Sequence, residues 1–494
     1  MLRFKNTEPT GNLNKKQDNY PVNTAMQQRK PVAQLDKQDN CPESWFEDAT
    51  EIAPGGKRSA REVRNSMRAD SSAADLHADD DAIVIVGAGQ AGARAAEALR
   101  AAGHKGRIAL VGEEGHLPYE RPQLSKEILL DRASVPASIK ERGGWQGLGV
   151  DLHLGTQVAS CSLDRQAVEL ADGRLIAFNR LVLATGVAAR ELPQLDGADI
   201  PVRTLRTIED AMSLRESFLP GAPIVLIGGG VIGLEVASAA IKSGCAVTVV
   251  EAAEGLLSRA LPRVVADYLQ KRHEDTGVQF RFGVSGQAIA DGRLILSDGS
   301  RIPADCIVVG IGAEPRVVLG RQLGLHCDGG IRVDARGRSD APRVYAIGDV
   351  AAQWSKHRQR WARVETWANA QNQSIAVARG MVGQAPAYSE APWFWTDQYD
   401  INIQVAGELS GAELILRGDV RSGRFAVLGL NDGTLCGAVT VNNRKDMAVL
   451  RKLAARPVNR ADLENPSFDL RKALVSQDTK GGSDGGTAEE SRRQ

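Results

Sequence analysis

The chain has 494 residues, 43% of them hydrophobic and 25% charged, an ordinary globular balance. That length leaves room for about three domains with cores of their own. Basic and acidic residues number 61 each, so no bulk attraction to nucleic acid or to a membrane surface is expected. No apolar run approaches the roughly 20 residues that span a bilayer, and the first residues lack the apolar core of a secretory signal. A soluble, cytoplasmic protein is expected.

Residues 1–80 are rich in Asn, Gln, Asp, Lys, Arg and Ser, with little apolar periodicity. Such a segment cannot bury enough surface to offset its ordering entropy, and disorder is expected. It reads as a regulatory arm or, more simply, as an over-long start with Met67 near the true beginning. The apolar run 82–86 then leads into Gly87-Ala88-Gly89-Gln90-Ala91-Gly92. Glycines in this pattern allow a strand to turn sharply into a helix and let the backbone approach a pyrophosphate. The helix N-terminus offers unpaired N–H groups to the phosphates. An alanine-rich helix follows, and then a strand that runs to Gly112 and Glu113.

The pattern recurs at Gly228-Gly229-Gly230-Val231-Ile232-Gly233, entered from the apolar run 224–227, with a strand ending at Glu251. A carboxylate roughly twenty residues beyond the glycines accepts hydrogen bonds from a ribose diol and repels a 2′-phosphate. Ala252 and Ala253 follow Glu251, with no arginine to receive that phosphate. NADH is therefore expected over NADPH at the second motif. Two such motifs imply two nucleotides brought face to face.

A third signal is Tyr345-Ala346-Ile347-Gly348-Asp349-Val350. A strand ending in Gly-Asp can present a carboxylate to a ribityl hydroxyl, and a helix is expected to follow it with its N-terminus at the flavin's pyrimidine edge. From about 391 the chain changes to period-two alternation at 401–405, 425–428 and 436–441, with a helix over 444–455 packed on that sheet. A Gly/Ser-rich tail closes the chain. The expected fold is α/β, with two Rossmann-like dinucleotide-binding domains, the second inserted in the first, and a C-terminal α+β domain. The boundaries are an extension over 1–80, a first domain over 81–201 and 316–390, a second over 202–315, a third over 391–476 and a tail over 477–494.

The six cysteines, Cys41, Cys161, Cys245, Cys306, Cys327 and Cys436, form no C-x-x-C or other close pair. Neither a zinc site nor a redox dithiol is expected, and Cys245 and Cys306 read as buried small hydrophobes. His104, His273 and His357 show no ligand spacing and read as surface or packing residues, so no metal is expected.

Taken together, the two glycine motifs, Ala184-Thr185-Gly186 and Gly348-Asp349 resemble the FAD/NAD two-domain reductases over most of residues 82–475. The stretch Pro118-Tyr119-Glu120-Arg121-Pro122-Gln123-Leu124-Ser125-Lys126 narrows this. Disulfide reductases carry their dithiol near this helix, whereas oxygenase-coupled ferredoxin reductases have an R-P-P-L-S-K stretch. Gln123 stands where proline is usual, which is expected to loosen a turn and leave Lys126 in place. Segments 363–371 and 392–399 resemble two further elements of that family, the ferredoxin–NAD(+) reductase components of bacterial aromatic-ring dioxygenase systems.

The resemblance implies roles. Gly87, Gly89, Ala91 and Gly92 would cradle the FAD pyrophosphate, with Glu113 on the adenosine ribose. Arg121 and Lys126 would contact the flavin side, Asp349 the ribityl chain, and Trp367 the isoalloxazine; Val158 and Arg206 are further carry-overs. Gly228, Gly230, Gly233 and Glu251 would hold NADH, and Glu235 would face the nicotinamide and pair with Lys126. Lys126, Glu235 and Trp367 are the expected catalytic group. The implied partner is a [2Fe–2S] ferredoxin, Rieske-type, feeding an aromatic-ring dioxygenase; the chain is a monomer or homodimer. An acidic ferredoxin calls for a basic docking face, for which Lys356, His357, Arg358 and Arg360 are candidates, with Arg417, Arg421, Arg424, Arg444, Lys445, Arg451 and Lys452 as a second wall. Trp367 and Trp361 could shorten the electron path. Alternatives are a rubredoxin or P450-ferredoxin reductase, or a redox-sensing flavoprotein of the apoptosis-inducing-factor type.

Overall fold

The computed structural model describes residues 81–478 except 198, 259, 356–358, 385–386 and 389–390. The expected arm over 1–80, residues 479–494 of the tail, and Lys356, His357 and Arg358 lie outside the described residues.

Ile83–Val86 carries four consecutive apolar residues because it is the middle of a five-stranded sheet, covered on both faces. The sheet order is Val344–Ala346, Arg180–Leu183, Ile83–Val86, Ile108–Gly112 and Val150–Leu154, parallel throughout. On one face the alanine-rich helix Gln90–Ala101 packs with the helix Trp367–Met381, around Ala91, Ala95, Leu99, Val377 and Ala378. The small side chains let the two helices approach closely. A three-stranded antiparallel layer covers the other face through Val168 and Leu170.

A second parallel sheet follows, in the order Gln279–Phe282, Ala246–Glu251, Pro223–Ile227, Cys306–Val309 and Val202–Arg203. The chain leaves the first unit just after Val187–Ala189 and returns through Ala313–Pro315, and these two segments pair with each other as an antiparallel ribbon. That ribbon fixes the two units at their junction.

The C-terminal sheet is antiparallel, ordered Trp393–Gln398, Ile401–Gly407, Thr434–Val441, Arg424–Asn431 and Glu413–Asp419. The helix Arg444–Leu453 buries Met447, Leu450 and Leu453 against one face. The opposite face, through Ile403, Val405 and Val439, packs on Val265 and Leu269 of the helix Arg263–Asp275 in the second unit. This contact seats the third unit on the second.

Three expectations are corrected. The segment after Asp349 is a single 3-10 turn, Gly348–Val350, followed by the strand Ala351–Ser355; the helix starts only at Trp367, where the Thr366 side chain accepts from the Asn369 N–H. Gln123 does not loosen its turn: Arg121–Gln123 is a 3-10 turn and the Gln123 side-chain carbonyl accepts from the Ala137 N–H at 2.7 Å. Arg417 belongs to no docking wall. It is 6% exposed, and its guanidinium donates to the carbonyls of Asp462, Leu463, Asn465, Pro466 and Phe468. Five acceptors in a closing turn need a donor more than the surface needs a charge.

Candidate functional site

The two parallel sheets present their glycine turns to one continuous cleft of about 1610 Å³. Its walls include Gly87, Gly89, Ala91, Glu113, Arg121, Lys126, Val158, Asp349 and Trp367 from the first unit, and Arg206 from the start of the second. Gly228, Gly230, Gly233, Glu235 and Glu251 come from the second, and Phe394 and Trp395 from the third. Gly92 lies one residue deeper, in the packing of helix on strand.

The glycines divide into two kinds. Gly87 and Gly228 have φ of +114° and +111°, and an added Cβ would stand 2.1 Å from the Ala184 carbonyl oxygen or 2.5 Å from that of Gly310. Gly92 and Gly233 lie equally tightly, against the Gly87 and Gly228 carbonyls at 1.9 and 2.4 Å. These four close strand on helix. Gly89 and Gly230 are different: a Cβ at Gly89 meets nothing nearer than Arg121 at 4.0 Å, and at Gly230 nothing nearer than 3.8 Å. Their backbones face open cleft, as a pyrophosphate on a helix N-terminus requires. The residues present fit two dinucleotides.

The acidic strand ends are not equivalent. Gly87 N donates to the Val111 carbonyl and Gly228 N to that of Val250, so the residue matching Glu251 in register is Gly112, not Glu113. At the second turn, Gly229 leaves room for the Glu251 carboxylate, which accepts from the N–H groups of Gly229 at 2.6 Å and Ala253 at 2.8 Å. At the first turn, Ala88 occupies that room; a Cβ on Gly112 would lie 2.6 Å from the Ala88 methyl carbon. The carboxylate therefore comes one residue later. Glu113 pairs with Arg316 and lies 3.4 Å from the Gln157 amide nitrogen.

Arg121 is clamped from behind. Its guanidinium pairs with Glu114 at 2.5 Å and donates to Tyr119 Oη at 2.9 Å, while that phenol donates to Glu114 at 2.6 Å. It also donates to the Arg206 carbonyl, so the crossover that carries Arg206 is tied to the same knot. Burial pushes the Tyr119 phenol well above its ordinary range. Arg206 lies 3.7 Å from Asp349, and burial raises the Asp349 carboxyl while Arg206 pulls it down.

Lys126 Nζ stands 2.9 Å from Glu235 Oε2, so the expected pair is formed. Ser125 Oγ donates to the same oxygen and Thr396 Oγ1 donates to Oε1 at 2.6 Å. Trp367 donates its indole N–H to Glu120 and lies edge-on to Trp395 at 5.6 Å; Trp395 stacks on Trp393 at 5.3 Å, beneath the Arg451 guanidinium at 4.4 Å. Sequence reasoning missed Glu114, Tyr119, Glu120, Ser125 and Thr396 as site residues. Most lie inside the 118–126 stretch, but only folding reveals which side chain supports which. Among the described residues no cysteine lines the cleft.

Residues 81–374 match the pyridine nucleotide-disulphide oxidoreductase family and residues 393–474 the reductase C-terminal family. The chain is 43% identical over 401 residues to the ferredoxin–NAD(+) reductase component of the p-cumate 2,3-dioxygenase system of Pseudomonas putida, covering 80% of this chain and 99% of that one. It is 40% identical over 403 residues to the corresponding component of the anthranilate 1,2-dioxygenase system of Burkholderia cepacia, again covering 80% and 99%. Among solved structures, the covalent putidaredoxin reductase–putidaredoxin complex matches with a TM-score of 0.76 at 34% identity, covering 80% and 99%.

The two kinds of glycine separate by mutation. Gly89→Ala is expected to keep the thermal midpoint of the FAD-free chain within a few degrees while lowering FAD affinity at least ~10-fold. Gly87→Ala is expected to lower the midpoint itself. Equal FAD retention by Gly89→Ala and the unsubstituted chain in equilibrium dialysis would contradict this division.

Proposed function

The chain belongs to the pyridine nucleotide-disulphide oxidoreductase family, among its ferredoxin–NAD(+) reductases, and we propose that it carries electrons from NADH through FAD to a Rieske-type [2Fe–2S] ferredoxin serving an aromatic-ring dioxygenase. The observation that carries this reading is the single cleft onto which both glycine turns open. FAD held there would accept a hydride from NADH and release electrons one at a time; the protein supplies orientation and electrostatics.

Each residue's part follows from its place. Gly89 and Gly230 give the two pyrophosphates room, with Gly87, Ala91, Gly92, Gly228 and Gly233 shaping the turns. Glu113 receives the FAD adenosine ribose, and Arg121, Val158, Arg206 and Asp349 line the path of the flavin's chain. Glu251, already locked by two backbone N–H groups, offers its remaining lone pairs to the NADH ribose. Ala252 and Ala253, which follow Glu251 in the cleft wall, bring no cation to a 2′-phosphate. Lys126, partly desolvated and held by Glu235, stabilises negative charge developing on the acceptor ring. Trp367 closes the cleft on the side of the third unit.

The aromatic row from Trp367 through Trp395 to Trp393 ends beneath Arg451. Arg444, Lys445 and Lys452 are exposed on that helix, and Arg360 is exposed on the hairpin before Trp367. These cations supply the docking ground for an acidic ferredoxin. Charge of this kind acts mainly on association rate and weakens with salt.

Three measurements test the reading. With purified Rieske-type [2Fe–2S] ferredoxin added, NADH-driven cytochrome c reduction is expected to become fast and to slow with ionic strength; a rate indifferent to ferredoxin refutes it. NADH is expected to exceed NADPH in kcat/KM by on the order of 10–100-fold, since like charges brought together cost several kcal/mol; NADPH preference refutes the role of Glu251. Lys126→Ala is expected to slow flavin reduction in stopped flow on the order of 10²-fold with little change in NADH affinity. An unchanged reduction rate refutes the role of Lys126.

A further inference from the structure

Thr396, which donates to Glu235 Oε1, is the inner end of a longer buried chain. Gln398 Nε2 donates to Thr396 Oγ1 at 3.0 Å, His273 Nε2 lies 2.7 Å from Gln398 Oε1, and Tyr399 Oη lies 2.8 Å from His273 Nδ1. Thr276 Oγ1 stands 2.9 Å from the Tyr399 oxygen at the outer end. Thr396, Gln398 and His273 are 1%, 2% and 0% exposed. The chain crosses from the helix Val231–Lys242 to the strand Trp393–Gln398 and on to the helix Arg263–Asp275.

The donor directions follow from elementary bookkeeping. A carboxylate oxygen only accepts, so the Thr396 hydroxyl spends its one proton on Glu235. Its oxygen then accepts from the Gln398 amide NH₂, which turns the amide carbonyl toward the imidazole. His273 must therefore carry its proton on Nε2, leaving Nδ1 to accept from the Tyr399 phenol. Burial holds His273 neutral by pushing its pKa down to about 4. All four dipoles point at Glu235. An amide cannot relay a proton without passing through an unfavourable tautomer, so this chain orients and does not conduct.

We propose that Thr396, Gln398 and His273 are positioning residues which hold the Glu235 carboxylate in one orientation, and through it Lys126 Nζ, for the NADH half-reaction. The inference rests on the roles given to Lys126 and Glu235 above. Glu235 Oε2 takes Lys126 and Ser125, and Oε1 is fixed by Thr396. Without the threonine hydroxyl the carboxylate can turn about its last bond, and the lysine loses its fixed seat. The third unit, which contributes Thr396 and Gln398, thereby takes part in hydride transfer as well as in covering the cleft.

The test is anaerobic stopped-flow reduction of the holoenzyme by NADH, which needs no ferredoxin and is read apart from the ferredoxin assay. Thr396→Val is expected to lower the limiting reduction rate about 10-fold while the NADH dissociation constant stays within about two-fold, and Thr396→Ser is expected to restore the rate. A role confined to packing the third unit predicts lowered stability with an unchanged limiting rate, and that result overturns the proposal. If Thr396→Val does not fold, Gln398→Met carries the same expectation, and the unsubstituted rate in that variant overturns it equally. A second readout is free of flavin: imidazole ¹⁵N shifts of the FAD-stripped full chain are expected to show His273 as the neutral Nε2–H tautomer at pH 6. An Nδ1–H tautomer or an imidazolium there also overturns it.

Discussion

A carboxylate taken out of water must be paired and hydrogen-bonded, or it takes up a proton. Glu235, 6% exposed, meets that demand with Lys126 and Ser125 from the first unit and Thr396 from the third, while its own helix belongs to the second. The three units therefore share one buried charge. That constraint explains why the C-terminal sheet lies over the nucleotide-binding half and does not hang from it as an appendage. It also explains why a lysine that local sequence would place at the surface is held in the cleft.

The two glycine turns show how a repeated motif is adapted. Both close strand on helix in the same way, with matching positive φ values and matching backbone clashes for any added Cβ. One exchange between them sets where the carboxylate stands: Ala88 with Gly112 at the first turn, Gly229 with Glu251 at the second. A methyl group or a carboxylate fills the same small space, and never both. The acidic residue of the first turn is displaced by one position as a result, and there it meets Arg316 in place of backbone N–H groups. The two carboxylates are therefore held by different supports.

Much of this was legible beforehand. The parallel sheets could be read because their strands are short apolar runs ending in glycine turns, and the Lys126–Glu235 pair followed from a family pattern that names both residues. The C-terminal sheet was half legible. Strands with alternating or apolar runs were visible, but Trp393–Gln398 is a run of aromatic and polar residues, and Glu413–Asp419 is an edge strand with exposed leucines at 414 and 416. Arg417 reads as surface charge from the sequence because the carbonyls that its guanidinium serves converge only in the folded chain. Thr396, Gln398 and His273 lie more than a hundred residues apart in part, and hydrogen-bond partners at that separation leave no periodic trace.

The chain belongs to a family named for disulfide chemistry, yet among the described residues no cysteine reaches the cleft, and burial pushes the thiol of Cys161 up to about 12. Under the proposed function a bound FAD would be the redox group between nicotinamide and ferredoxin. Anaerobic titration of the purified yellow protein with NADH decides the matter by stoichiometry. One equivalent of NADH per FAD should bleach the flavin completely. A sharp end point at two equivalents would reveal a second two-electron centre and contradict the account.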